Sequence, residues 1–333
     1  MKQLATLKGI HHVTAITSSS PKIYDFYTNI LGMRLVKKNV NQDDIRTYHL
    51  FFADDKGNPG TDMTFFDFKG IGKHIEGTND IARTAFRVPN DLAIYYWLKR
   101  FDHYQVEHDG ITELFGHKVI LFSDFDDQRY ALISDEKNTG IAAGEPWHKG
   151  PVPDEYAIVG LGPIFLRVAN YRMMKEALVD IMQMREIDQR DDLHLFYMGT
   201  GGNGASVIVE ETRDLPQSRQ GYGGVHHVAF RVENRDAIDQ WTMHFEELGY
   251  PNSGFVDRFY FKSLYVRVYP NILFELATEG PGFIDDEEPY ETLGEKLTLP
   301  PHLRHRRDYV ESVLPPFDTT RSNKVFKKEY FND

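Results

Sequence analysis

The segment Gly9-Ile10-His11-His12-Val13-Thr14-Ala15 returns as Gly224-Val225-His226-His227-Val228-Ala229-Phe230, an apolar strand-like run with a His-His pair at the same place. Such a repeat constrains the fold strongly, because each copy is one supersecondary unit that must bury its apolar face against another copy. After the first copy, Ser18-Ser19-Ser20-Pro21 supplies a helix N-cap and a first-turn proline. Ile23, Phe26, Tyr27, Ile30 and Leu31 then form a helical stripe that Gly32 ends. Strand-like runs follow at 33–40, 46–53 and 61–68. After the second copy, Ile238, Trp241, Phe245 and Leu248 form the stripe, Gly249 ends it, and strands are predicted at 254–259, 262–269 and 271–278. The unit is β-α-β-β-β.

Two further units fit between these copies. One has a strand at 81–88, a helix at 92–104 and strands at 106–108, 118–123 and 130–134. The other has a strand at 156–168, a helix at 171–184 and strands near 185–187, 193–198 and 205–211. Pro- and Gly-rich stretches at 146–153 and 215–224 read as linkers. The predicted fold is therefore α+β, four modules filling the chain to about residue 278, with a charged helix predicted at 303–310 in the remainder.

Which chemistry this fold can carry is narrowed by what is missing. There is no cysteine among the 333 residues, which removes disulfides, thiolate zinc sites, iron–sulfur clusters and thiol nucleophiles. Any reactive centre must come from His, carboxylate, Tyr or Ser, and there are 14 histidines. The net charge of −12, without a Lys/Arg stripe, argues against nucleic acid. The residues around Met1–His12 lack a signal-like apolar stretch and no window approaches a membrane span, so a cytoplasmic location with no membrane partner is expected.

Two His-His strands and an acidic strand are the materials of a two-histidine, one-carboxylate metal site that leaves positions open for substrate and O2. Strand alternation lets only one histidine of each pair face such a metal directly. The carboxylate candidate is Glu275 in Ile272-Leu273-Phe274-Glu275-Leu276. An acid among apolar residues is costly to bury unless it is metal-bound or paired, and Arg267 is the alternative partner. The glycine-rich run 199–204 lacks the helix start and Lys-Ser/Thr of a phosphate loop and reads as a flexible hairpin. Histidines without a repeat partner, such as His49, His103, His148, His194 and His302, read as surface or satisfied core residues.

Taken together, the two His-His strands, 48–54 followed by Pro59-Gly60-Thr61, Ser263-Leu264-Tyr265-Val266-Arg267, and Phe274-Glu275 followed by Gly282-Phe283 resemble the vicinal oxygen chelate superfamily. Within it, the chain is similar to the four-module ring-cleaving dioxygenases that act on hydroquinones. The resemblance implies iron(II) held by His12, His227 and Glu275, with manganese, zinc or nickel as substitutes in a purified sample. It implies that His11 and His226 lie beside the metal ligands or face substrate, with His226 as general acid–base. It further implies that Thr14 lines the pocket, and that Arg258 and Tyr265 stabilise charge on substrate; outside the resemblance these two read as a surface charge and an ordinary strand aromatic. The partners it implies are a small aromatic substrate and O2, in aromatic-compound degradation or detoxification, with a homo-oligomer as a further expectation.

Isomerases of the glyoxalase type need a fourth protein ligand. The alignment of modules one and four sets Phe65 opposite Glu275, with Asp67 two residues further on, which favours three ligands and a dioxygenase. Another metal-dependent isomerase or lyase of this superfamily, or a non-catalytic binder of aromatic ligands, is the alternative. Metal bonds of about 2 Å require modules one and four to share one cup. The expected organisation is therefore two incomplete barrels with helices outside. Residues 1–75 with 219–290 would form the metal-bearing cup, 78–145 with 154–213 the metal-free cup, and 291–333 a tail.

Overall fold

The computed structural model describes residues 4–284 and 288–331. The expected boundaries at 1–3, 285–287 and 332–333 lie outside the described residues. Module one comprises β1 (Ile10–Ile16), α1 (Ser20–Asp25), β2 (Arg34–Val40), β3 (Tyr48–Ala53) and β4 (Asp62–Phe66); module two comprises β5 (Asp80–Val88), α2 (Asp91–Tyr104), β6 (His108–Leu114), β7 (His117–Ser123) and β8 (Arg129–Ser134). Module three follows with β9 (Gly160–Val168), α3 (Tyr171–Glu176), β10 (Arg185–Arg190), β11 (Leu193–Tyr197) and β12 (Ser206–Glu211). Module four has β13 (Gly224–Val232), α4 (Arg235–Glu247), β14 (Val256–Asp257), β15 (Lys262–Tyr269) and β16 (Ile272–Thr278). The fold is α+β, and its two eight-stranded sheets are two incomplete barrels. One sheet has the order β14-β15-β16-β13-β1-β4-β3-β2 and the other β10-β11-β12-β9-β5-β8-β7-β6.

Each module helix is started by the same device. The side chains of Ser19, Asn90, Asn170 and Asn234 accept from the backbone N–H three residues on, satisfying a donor that the first turn would otherwise leave unpaired. The helices then lay Ile23, Trp97 and Trp241 into the core with essentially no exposure. α1 and α3 do not run on as α-helix; they widen into π-turns at Phe26–Ile30 and Ala177–Ile181. The helix predicted over 171–184 is therefore α-helical only to Glu176.

Other element edges differ from expectation for local reasons. The strand predicted at 106–108 begins at His108 and extends to Leu114, because Gln105 takes a left-handed cap that turns the chain first. The strand predicted at 254–259 shrinks to Val256–Asp257 at the sheet edge, next to Phe259 with φ of +72°. Residues 154–156 form a 3-10 turn rather than the start of β9. The charged segment near 303–310 is a 3-10 turn, Pro301–Arg306, running into α5 (Arg307–Val313). The hairpin at 199–204 is tied down: Gly201 O accepts from Ile141 N at 3.1 Å, and Asn203 N donates to Asn138 Oδ1 at 2.7 Å.

The two sheets meet along β5 and β13 and through loops. Gly60 has φ of +95°, receives Leu161 N on its carbonyl at 2.8 Å and donates to His11 O at 2.8 Å. The run around it is thus architectural: Asp54 Oδ1 accepts from the backbone N–H of Lys56, Gly57 and Asn58, and Oδ2 accepts from Glu145 N at 2.9 Å. The tail packs first on module one, where Tyr48 donates to Pro315 O, then crosses to module two, where Arg100 and Tyr104 hold Glu329.

Candidate metal centre and aromatic cavity

β1 and β13 lie antiparallel at the middle of their sheet and are related by a local two-fold: Thr14 pairs with His227 and His12 with Ala229. The ladder slips between Ile10 and His12 on β1, and β13 passes from Val225 to His227 across one step of β1. The first histidine of each pair is thus the extra residue of a β-bulge, a device that re-aims a side chain. His11 Nδ1 consequently lies 2.9 Å from His12 Nδ1, and His226 Nδ1 lies 2.8 Å from His227 Nδ1.

Both second histidines point Nε2 into the same space. Glu275 reaches it from β16, paired with Ala229 of β13 in parallel register. Its Oε2 is 2.9 Å from His227 Nε2 and 3.2 Å from His12 Nε2, and the two Nε2 atoms are 3.3 Å apart. All three residues are buried, with one donor atom from each lying within 4.8 Å of the others. Arg267, the alternative partner for Glu275, is exposed.

Proton accounting shows that this group fits a cation. His11 Nε2 lies 3.0 Å from the Thr278 carbonyl, which can only accept, so His11 carries its proton there. Burial, with His12 nearby, pushes the His11 pKa down to about 3, so its Nδ1 is an acceptor. His12 must then donate from Nδ1, leaving the Nε2 lone pair free toward Glu275. Despite burial, the surrounding histidines hold the Glu275 carboxyl well below its usual range, and both of its oxygens lack a hydrogen-bond partner among the described residues. Imidazole lone pairs and a carboxylate converging without sufficient protons suit a divalent metal.

Among the described residues no fourth ligand joins this group. The ladder pairs Thr14 with Thr64 just as it pairs Ala229 with Glu275, so Thr64, not Phe65, is the two-fold counterpart of Glu275. A one-residue offset in the sequence alignment caused the difference, because side chains alternate faces. Asp67 lies past the end of β4, accepting from Ser20 Oγ and Tyr48 N, away from the histidines.

The centre opens into a cavity of about 420 Å³ bounded by Phe51, Phe66, Phe68, Phe261 and Tyr260, with His12, His227 and Glu275 at its floor. His226, Arg258 and Tyr265 also line it. Arg258 Nε donates to Tyr265 Oη at 3.1 Å and Nη2 donates to Asp43 at 3.1 Å, joining the 41–47 loop to the cavity wall. Burial, with the Glu275 charge adding to it, pushes the Tyr265 phenol up, so it stays protonated, and because it accepts from Arg258 its own O–H is free for another oxygen. His11 lies beside His12 and is wedged against Thr278 O; Thr14, expected to line the pocket, is not among the cavity-lining residues, and its Oγ1 lies 3.1 Å from His227 Nε2. His49, read as surface or satisfied core, lines the cavity. The signal that could have found it is period two on β3, which puts His49 and Phe51 on one face.

Tandem β-α-β-β-β modules in two curled sheets, one with this ligand group, define a protein of the vicinal oxygen chelate class. Residues 9–127 and 160–276 match the Glyoxalase/Bleomycin resistance protein/Dioxygenase superfamily, and the chain belongs to it. It is 41% identical, over 93% of its length and 99% of the relative's, to a Bacillus subtilis protein named "Putative ring-cleaving dioxygenase MhqA". It is 29% identical, over 91% of its length and 94% of the relative's, to chlorohydroquinone/hydroquinone 1,2-dioxygenase of Sphingobium indicum. A crystal structure titled as a dioxygenase of the putative kind from Bacillus subtilis superposes with a TM-score of 0.86 at 32% identity, covering 95% of this chain and 99% of that one. Maize glyoxalase I shares the fold, with a TM-score of 0.58 at 14% identity over 81% of this chain and 92% of its own.

Proposed function

We propose that the protein is an iron(II)-dependent, extradiol-type ring-cleaving dioxygenase that takes a hydroquinone or related diphenol with O2. The observation that carries this reading is the three-ligand centre with a threonine at the fourth-ligand place, opening on an aromatic-lined cavity. Relatives named as ring-cleaving dioxygenases support the reaction class, and the Sphingobium relative supports the substrate class. In this reading residues 1–75 and 219–290 form the catalytic unit, 78–145 and 154–213 a supporting one, and 291–333 a tail across both.

Iron(II) in such a ligand set supplies open positions for a diphenol oxygen and O2 and a path for electrons between them. The chain supplies the rest. Phe51, Phe66, Phe68 and Phe261 exclude water and hold the ring. The Tyr265 hydroxyl, fixed by Arg258, donates to charge developing on a substrate oxygen, and the guanidinium adds its positive charge. His226 has no hydrogen bond at Nε2 among the described residues and stands at the cavity wall, where it accepts a substrate proton and returns it later. His11 keeps His12 in the ligating tautomer.

Oxygen uptake across substituted hydroquinones and catechols, on protein loaded anaerobically with iron(II), tests the reading. Uptake with a hydroquinone and an opened acid product is expected. Iron-replete protein that consumes no oxygen with any diphenol would overturn it.

A further inference from the structure

His49 is the cavity histidine that no role has yet absorbed. Its ring sits between Phe51 and Phe66, with centroids 3.9 Å and 4.4 Å away, so it has little freedom to turn. Nε2 is 3.0 Å from Thr64 Oγ1, which is 2.8 Å from Thr14 Oγ1, which is 3.1 Å from His227 Nε2. This hydroxyl chain starts at the metal centre and ends at His49, passing through the residue that replaces a fourth ligand. Nδ1 makes no hydrogen bond among the described residues and is not sealed from solvent, so it opens to accessible space at the cavity.

We propose that His49 is a substrate-contacting residue whose Nδ1–H donates to the ring oxygen that the metal does not hold. The direction of the proton follows from the chain. With a metal on His227 Nε2, that nitrogen has no lone pair left for Thr14, whose hydroxyl then donates to Thr64; Thr64 donates to His49 Nε2, and a neutral His49 carries its proton on Nδ1. Burial keeps the imidazole neutral, and the nearby Arg258 charge works in the same direction. The Thr14–Thr64 pair spaces Nδ1 away from the metal ligands, so it meets the far oxygen of a diphenol with oxygens at opposite ends, and a catechol, with its oxygens adjacent, leaves it unused. This inference rests on the proposed substrate class and assigns the residue that selects within it.

The test is anaerobic calorimetry on the zinc-loaded, redox-inert protein, with hydroquinone and phenol as probes. Wild type is expected to bind hydroquinone about tenfold more tightly than phenol, the worth of one hydrogen bond into a polar partner. His49→Gln keeps a nitrogen near the Nε2 place and loses Nδ1; it is expected to bring hydroquinone down to the phenol level and leave phenol unchanged. His49→Asn keeps a nitrogen near the Nδ1 place and should restore part of the preference. Metal content and circular dichroism verify that each variant is folded and loaded. The inference fails if wild type shows no preference, if the preference survives in His49→Gln, or if both ligands weaken alike. Absence of oxygen uptake by iron-loaded wild type would instead defeat the dioxygenase reading, while the binding arms still report on His49.

Discussion

Thr64 and Glu275 are two-fold mates: each faces the strand residue two positions beyond a buried histidine, Thr14 after His12 and Ala229 after His227. A carboxylate at 64 would therefore point at the same centre as the one at 275. Thr64→Glu is expected to keep or tighten bound metal, as a fourth ligand should, and to abolish oxygen uptake by closing an open position. Metal analysis together with oxygen electrode traces on the variant checks this; normal uptake in a four-ligand variant would contradict the open-position argument.

Removing the carboxylate of the proposed centre acts in the opposite sense. Glu275→Gln retains shape but withdraws the charge that offsets the metal, so a loss of metal affinity of at least about a hundredfold is expected. Because a metal that binds only the folded chain stabilises it by mass action, chelation should lower Tm in the wild type and much less in this variant. Equal Tm drops in the two proteins would show that the metal sits elsewhere.

Arg258 ties Tyr265 to Asp43 through two different guanidinium nitrogens, a geometry that an ammonium does not reproduce. Arg258→Lys should lower kcat/KM by about ten- to a hundredfold with metal content unchanged, in the range of one lost charge-assisted contact. Steady-state oxygen uptake gives the number, and loss of metal along with activity would place Arg258 in structural support instead.

How much of this was legible in the sequence depended on periodicity. The repeated His-His strand and the helix stripes around Ile23 and Trp241 follow periods of two and 3.6, so the module and the fold could be read from them. Glu275 stood out because an acid sits between apolar neighbours. What escaped was register: the identity of Thr64 as the mate of Glu275 depends on a single-residue offset, and the turning of His11 and His226 depends on bulges that leave no mark in residue type. His49 was overlooked because it lacks a repeat partner, the criterion that made the other histidines visible.

A pH effect is expected far from the centre. Glu186 is pushed up by partial burial but more strongly held down by Lys175, Tyr171 and His194, giving a folded pKa of about 2 against an ordinary 4.5. A carboxyl depressed in the folded state stabilises above its unfolded pKa, and that contribution is lost as pH falls toward the folded value. Glu186→Gln should therefore lower Tm at pH 6, and the gap to wild type should close between pH 4.5 and pH 2, as followed by thermal scans. The group is only partly buried, so the effect is modest and should shrink in salt.

The pairing of β1 with β13 sets a timetable for the chain as it is made. β1 leaves the ribosome about two hundred residues ahead of its antiparallel neighbour, a wait of roughly 10–40 s at ordinary rates of synthesis. During that interval the first quarter exposes an unpaired strand edge bearing Ile10, Val13 and Ala15, while β5 and β9 can already join behind it. The same arrangement would make the proposed centre wait for its second half, since His227 and Glu275 are made more than two hundred residues after His12. A nascent fragment that ends before β13 would hold one histidine pair without the acid that faces it across the finished sheet.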